Sequence, residues 1–349
     1  MKGKMNKFII LMIIGVISIL LAACGSDDTS KQTSSNTKGG DSSSEIKELK
    51  FRVAHNMPVE HHTAKGIQKF ADLVAEKSGN KMKVSVFPSG QLYDDTSMAE
   101  AVTSGQIEMG MNTFTMWAGQ MPAAELYSLE LFPTYDAIHK GLKDGISDIF
   151  LKELNKLGAQ PIMWVDYGGA YYASTKEPLS NKASYKGKRV RVLSPIGAKS
   201  VELAGGTPVT MGGGEVDQAL QRGTIDAASS GVTSFVARQY YQYTKYFVKQ
   251  DSTGMFLASA NLNWWNKLSD SQKKVIQEAA EEAQAWITEE VQKQEDEAIK
   301  KLESEGMKYV EVDNDSFKDV NEQLIQDYIK RSGETGEKLI EIAKKAMEK

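Results

Sequence analysis

Apolar and polar positions alternate with a period of two in several short stretches, and recur at about 3.6 residues in the segments between them. In the first half, "LKFRVAH" (49–55) and "KMKVSVF" (81–87) predict strands, with a helix from about Thr63 to Lys77 between them. "AEAVTSGQIEMGM" (99–111) reads as a helix end, a glycine that stops it and a further strand. The second half repeats the order: a strand in "KRVRVLS" (188–194), a helix near Ile196 to Ala204, a strand in "TPVTM" (207–211), then "DQALQRGTIDAAS" (217–229). The last segment aligns with 99–111 without gaps, placing Ala101 on Ala219, Gly105 on Gly223 and Ile107 on Ile225. Both halves are therefore β-α-β-α-β. That order predicts a mostly parallel sheet covered on both faces, arranged as two similar lobes. Open α/β sheets hold ligands outside the carboxyl ends of their strands. A cleft between facing lobes would then collect His55 and Asn56, Asn112 and Thr113, Ser194, and Ser229 with Ser230, all able to hydrogen-bond.

The C-terminal third has a different pattern. From Ser269 to about Glu305 an apolar stripe of Val275, Ile276, Ala279, Ala280, Ala283, Ile287 and Val291 recurs at helical spacing. Ser269 and Gln272 form a capping-box signature at its start. Such a helix is roughly 50 Å long, more than one lobe needs, and long enough to brace both. Trp286 and the Glu/Gln-rich continuation break the heptads of a coiled coil.

One strand poses a chemical question. In "GKRVRVLSP" (187–195), Lys188, Val190 and Val192 fall on one face and Arg189 and Arg191 on the other. One arginine reads as a solvated edge charge, the other as a group kept to hold an anion.

The beginning of the chain carries an address. Lys2, Lys4 and Lys7 precede "FIILMIIGVISILL", a run of roughly 14 apolar residues, the length of a signal-peptide core rather than a membrane span. "LAAC" (21–24) then resembles a lipobox, so residues 1–23 read as a lipoprotein signal peptide and Cys24 as the lipidated new N-terminus. Residues 24–46, rich in Ser, Thr, Asp, Gly and Lys, read as a flexible tether. The expected location is extracytoplasmic, anchored to the membrane, as on a Gram-positive surface. The 349 residues carry a formal charge of −4; removing the first 23 leaves 39 basic against 46 acidic residues. That balance disfavours nucleic acid. Cys24 is the only cysteine, which excludes intrachain disulfides and Cys-based metal sites. His61 and His62 in "VEHH" lack HExxH spacing, and no GxSxG, P-loop or strand-following GxGxxG occurs. No cofactor, metal or enzymatic activity is expected, although a Ser/His/Asp triad assembled from distant positions, as in an extracytoplasmic hydrolase, is the alternative of a different class.

"FRVAHNMPVEHHTAKGIQKFADLVAEKSGNKMKVSVFPSGQL", "GKRVRVLSP" and "GEVDQALQRGTIDA" resemble the solute-binding subunits of TRAP transporters, the DctP type. The resemblance runs from about Leu49 to the last helix. It implies a two-lobed, periplasmic-binding-protein-like α/β fold with a long helix spanning both lobes. It further implies closure around a small organic acid and delivery to membrane subunits driven by an ion gradient. The lobes would comprise 47–168 with about 257–296, and 169–256 with about 297–349. Hinges would lie near Gly168–Ala170 and Thr253–Phe256. The long helix argues against the alternative of an ABC-type solute receptor.

The family's Gly-x-Lys-x-Arg signature assigns the ligand's carboxylate to Arg191, and a planar guanidinium suits a bidentate carboxylate. Three departures alter the rest. Ala170 stands where many relatives have a second arginine. Gly212, Gly213 and Gly214 precede the second-lobe helix in place of an aromatic residue. Ser229 and Ser230 replace the usual Glu-Asn. Together they point to a monocarboxylate, with Arg191, Ser230, Ser229, Asn112, His55 and Gly213 as polar contacts. Trp117, Trp164, Tyr171, Tyr172 and Phe256 are the candidates to stack on its body.

Overall fold

A computed structural model describes residues 45–347; the signal-peptide, Cys24 and most of the tether assignments lie outside the described residues. The strands are β1 (Leu49–His55), β2 (Met82–Phe87), β3 (Met109–Thr113), β4 (Ala159–Ser174), β5 (Arg189–Val192), β6 (Thr207–Thr210), β7 (Ala227–Ser230), β8 (Tyr246–Asn261) and β9 (Lys308–Tyr309). The α-helices are α1 (His62–Lys77), α2 (Met98–Thr103), α3 (Tyr135–Gly141), α4 (Ser147–Lys156), α5 (Pro195–Leu203), α6 (Val216–Gln221), α7 (Val232–Ala237), α8 (Leu262–Asn266), α9 (Asp270–Ser304) and α10 (Lys318–Met347).

The internal repeat is structural. In one lobe β1 pairs in parallel with β2 and β3; in the other β5 pairs in parallel with β6 and β7. Gly105 and Gly223 end the equivalent helices with φ of +77° and +63°, a conformation that costs glycine little. The amide after each bonds the equivalent carbonyl, Gln106 to Ala101 and Thr224 to Ala219.

The expectation of a mostly parallel sheet needs correction. The nine strands of the described residues form a single mixed sheet, in the order β2-β1-β3-β8-β4-β7-β5-β6, with β9 added beside β8. β4 and β8, 16 residues each, run antiparallel through its middle and pass from one lobe to the other. Their ladder shifts register between Asp166 and Gly168 and again between Gly169 and Tyr171. Such bulges bend a strand and re-aim its side chains, and these fall inside the region named as a hinge. Gly254 on β8 permits a close approach there, because a Cβ at that position would lie 2.6 Å from Cδ1 of Tyr167.

The long helix is present as read. Ser269 caps α9 and Gln272 reaches back to the Ser269 amide at 3.0 Å. Val275 through Ile287 pack into the core built on β1 and α1, whereas Ala298 and Leu302 pack into the core built on β7 and α7. α9 thus seals the hydrophobic face of both lobes. α10 packs against residues 122–128, α3 and α5, so it touches elements on both sides as well. The described residues cluster as one compact unit that holds the three hydrophobic cores.

Candidate functional site

The carboxyl ends of β3, β5 and β7, together with the segment following β1, converge on a cleft floored by the middles of β4 and β8. A wider chamber holds about 870 Å³ of empty space, part of it open to solvent. A narrower pocket of about 290 Å³ adjoins it through Thr113, Tyr167, Leu193 and Ser230, which line both.

Arg191 stands in the narrow pocket. Val190 and Val192 turn into the core, and the opposite face carries the two arginines. They behave differently. Arg189 is exposed and forks onto Asp226, with Nε donating to Oδ2 and Nη2 to Oδ1, both at 3.1 Å. Arg191 is 2% exposed and spends its donors on carbonyls: Nε to Met211 O at 3.1 Å and Nη1 to Ser229 O at 2.6 Å. Among the described residues it forms no ion pair. Burial pulls its pKa below the usual arginine value, with nearby Asp95 acting the other way. Two strand-end carbonyls thereby fix the guanidinium plane without neutralising it.

The lining opposite comes from β3 and β4. Asp95 is 2% exposed and accepts from Thr113 N at 3.0 Å and Thr113 Oγ1 at 2.7 Å. Burial raises its pKa, against the two Thr113 donors and the guanidiniums of Arg191 and Arg238. Tyr167 stacks on Phe256 at 4.7 Å between centroids and donates its hydroxyl to Ser234 Oγ at 2.7 Å, with Ser230 Oγ also at 2.7 Å. Gly231 N donates to the same hydroxyl. Arg238, just after α7, crosses to the facing lobe, where Nη2 donates to Asn56 O at 3.0 Å.

The chamber is mainly hydroxyl, amide and aromatic. Ser194 caps α5 through Gly197 N and meets Ser128 Oγ from the facing lobe at 3.3 Å. Ala170, Tyr172, Ser229 and Gln250 contribute, and Glu130 accepts from Asn321 of α10. Behind the chamber, fully buried Glu125 accepts from Ile196 N at the start of α5 (2.6 Å) and pairs with Arg331 of α10.

Of the residues nominated from sequence, the structure gathers Arg191, Ser229, Ser230, Gly213 and Phe256 at the cleft, with Tyr172 in the chamber. It places five elsewhere: His55, Asn112, Trp117, Tyr171 and Trp164. His55 is buried behind the strand end, with Nδ1 accepting from Met57 N, and burial lowers its pKa to about 4. Asn112 accepts from Trp117 Nε1 at 3.0 Å, and both are core residues. Tyr171 points to the opposite face from Tyr172, toward Phe247 and Glu295. Trp164 packs on Phe114 at 4.9 Å. Alternation along a strand explains Asn112 and Tyr171: at each strand end one neighbour enters the cleft and the other turns away. Tyr167, Arg238 and Asp95 were not foreseen. No group of three or more His, Cys, Asp or Glu suited to a metal occurs among the described residues.

The bulged stretch of β4 has its own polar supports. Gly169 N donates to Glu295 Oε1 of α9 at 3.0 Å, and Tyr135 OH donates to Glu295 Oε2. Asp166, earlier on the same strand, binds His139 Nε2 at 2.9 Å and accepts from Thr288 Oγ1 at 2.7 Å.

Two lobes joined by crossing strands, with a buried cation at strand ends facing a cleft, define a solute receptor of the two-lobed kind. Residues 53–332 match the family described as bacterial extracellular solute-binding protein, family 7 (DctP), and the chain belongs to that family. It is similar to the C4-dicarboxylate-binding protein DctB of Bacillus subtilis (strain 168), 24% identical over 244 residues, 68% of this chain and 69% of that protein. Among solved structures it resembles a TRAP periplasmic solute-binding protein of Roseobacter denitrificans with bound β-D-glucuronate (TM-score 0.81, 23% identity, 84% of this chain and 99% of that one). It also resembles DctP6, an extracytoplasmic solute receptor of Bordetella pertussis binding pyroglutamic acid (TM-score 0.80, 22% identity, 85% and 99%). These relatives are named as binding proteins, not enzymes.

Proposed function

We propose that this protein is the extracytoplasmic receptor of a TRAP-type secondary transporter. It captures a small organic acid, a monocarboxylate, between its lobes and passes it to membrane subunits. The observation that carries the reading is Arg191: a buried guanidinium, oriented by Met211 O and Ser229 O, without an ion pair among the described residues, in the narrow pocket that adjoins the wider chamber. A buried unpaired charge is costly, and an anion offsets that cost when the lobes close over it. Ser229, Ser230 and Thr113 supply hydrogen bonds beside the carboxylate, and Phe256 and Tyr172 supply apolar surface. Hinge motion is carried by the bulged stretch at Gly168–Ala170 and its partner around Gly254. Cys24 would hold the receptor to the membrane through a lipid, with residues 24–46 as tether.

The test uses the chain from residue 45 onward, unfolded and refolded to strip any co-purified solute. Thermal unfolding is followed against L-pyroglutamate, D-glucuronate and succinate, chosen from the ligand chemistry of the similar proteins. An acid at about 100 times its Kd stabilises by roughly 2.7 kcal/mol, visible as a shift of a few degrees. The acid should be recovered unchanged. Conversion of the acid, or no shift with any carboxylate, would overturn the receptor reading.

A further inference from the structure

Arg191 is not the only charge in the narrow pocket. Its described charged lining residues are Arg191 and Arg238 from one lobe and Asp95 from the other. Neither guanidinium forms an ion pair among the described residues; their donors go to the carbonyls of Met211, Ser229 and Asn56. Both carboxylate oxygens of Asp95 are taken by Thr113 N and Oγ1. Asp95 and Arg191 are each 2% exposed, so water screens them poorly. The wider chamber has one described charged lining residue, and it is an acid, Glu130.

We infer that Arg238 and Asp95 determine specificity by charge count: together with Arg191 they leave the narrow pocket with one net positive charge, so that the cleft selects a monoanion. The inference rests on the reading that the cleft binds a carboxylate, and it adds the residues that decide how many. A single carboxylate brings the pocket to neutrality on closure. A second carboxylate must lie in the chamber, whose described lining offers it no cation. Burial without neutralisation is what makes a charge expensive, so the penalty falls on the dianion. Arg238 compensates for the absence of arginine at Ala170 in one respect only. It supplies charge at the first carboxylate, not a clamp for a second.

The arrangement also explains why Arg238 reaches across to Asn56 O. The bond forms between lobes, so the extra positive charge enters the pocket as the lobes approach. Asp95, on the facing lobe, arrives with it. Charge balance is thereby assembled by closure rather than being present on one lobe.

The experiment measures Kd by calorimetry for matched pairs of similar size, butanoate against succinate and D-gluconate against D-glucarate. It compares the wild type with Arg238→Gln, Arg238→Lys, Asp95→Asn and the double variant Asp95→Asn/Arg238→Gln. In whichever pair binds, the wild type should prefer the monoanion by tenfold or more. Arg238→Gln should lose at least tenfold for the monoanion, while Arg238→Lys, which keeps the charge, stays within about threefold. Asp95→Asn should move the preference toward the dianion by tenfold or more, and the double variant, again with one net positive charge, should restore the wild-type preference. The result that overturns the inference is a wild type that binds while Arg238→Lys fails as badly as Arg238→Gln, the signature of a structural strap. An unchanged preference in Asp95→Asn overturns it equally. A wild type that binds no member of either pair, nor any acid of the panel above, removes the receptor reading and this inference together.

Discussion

Replacing Arg191 by lysine keeps the charge and removes the geometry, so it isolates what the fork contributes. The guanidinium now divides its work. Nε and Nη1 hold Met211 O and Ser229 O, and the rest of the planar group is free to meet a carboxylate. A lysine ammonium has three donors on one nitrogen and cannot satisfy two carbonyls from different strands while also presenting two parallel bonds to an anion. One backbone contact and one ligand contact are lost. The backbone contact contributes about 1 kcal/mol to folding, which in a protein of this size lowers Tm by about 2 °C. The ligand contact is a bond between charged partners, about 1.5–3 kcal/mol, or roughly a 10- to 150-fold rise in Kd. Isothermal titration with the best acid of the panel, beside a denaturant melt of each protein, reads both numbers. Arg191→Gln, which loses the charge as well, should bind more weakly still. A lysine variant that folds normally and binds within about threefold of wild type would refute the assignment of Arg191 as the carboxylate anchor.

Three further outcomes follow from the packing and the buried charges. His55 and His62 are held neutral, their pKa values lowered by burial to about 4, whereas the unfolded chain takes up these protons near 6.5. Their contribution is whole above the unfolded value and is lost as pH falls from about 6.5 toward 4, at roughly 1.4 kcal/mol per pH unit for each; urea melts at pH 7, 6 and 5 should show the decline, and His62→Gln should make it shallower while His55 keeps its share. His139, raised by its bond to Asp166, opposes part of this loss. Gly254→Ala places a Cβ 2.6 Å from the Tyr167 ring, and displacing that ring should cost about 1–3 kcal/mol in denaturant melts and weaken binding; unchanged stability would show that the ring has room to move. Glu125→Gln leaves Arg331 with Asp327 as its one carboxylate partner among the described residues and weakens the link to α5, an expected loss of about 3 kcal/mol; a loss under 1 kcal/mol would mean that water replaces the carboxylate.

The sequence reveals the parts of this fold that obey a simple period. β1, β2, α1, β5, α5 and β6 fall within a residue or two of where alternation places them, and the capping box located the start of α9. The two long strands escape because their pattern is interrupted. "AQPIMWVDYGGAYYAS" contains a proline and a glycine pair, and the register shifts at those interruptions exchange inward and outward faces. Beyond the last shift alternation resumes, with Tyr172 in the chamber and Tyr171 outside it. The arginine pair on one strand face poses its question through chemistry alone; the choice of Arg191 over Arg189 comes from the Gly-x-Lys-x-Arg signature of the resemblance, not from the spacing. Arg238 and Asp95 were not legible, because each belongs to the pocket only once two lobes meet, and no local spacing records that meeting.

The path of the chain also limits how such a receptor changes over time. β4, β8 and α9 each run through both lobes, so neither lobe corresponds to a continuous stretch of gene. Recombination cannot exchange one lobe for another without cutting all three connections. A new ligand preference must therefore come through single substitutions at strand ends, made one at a time inside a frame that stays whole.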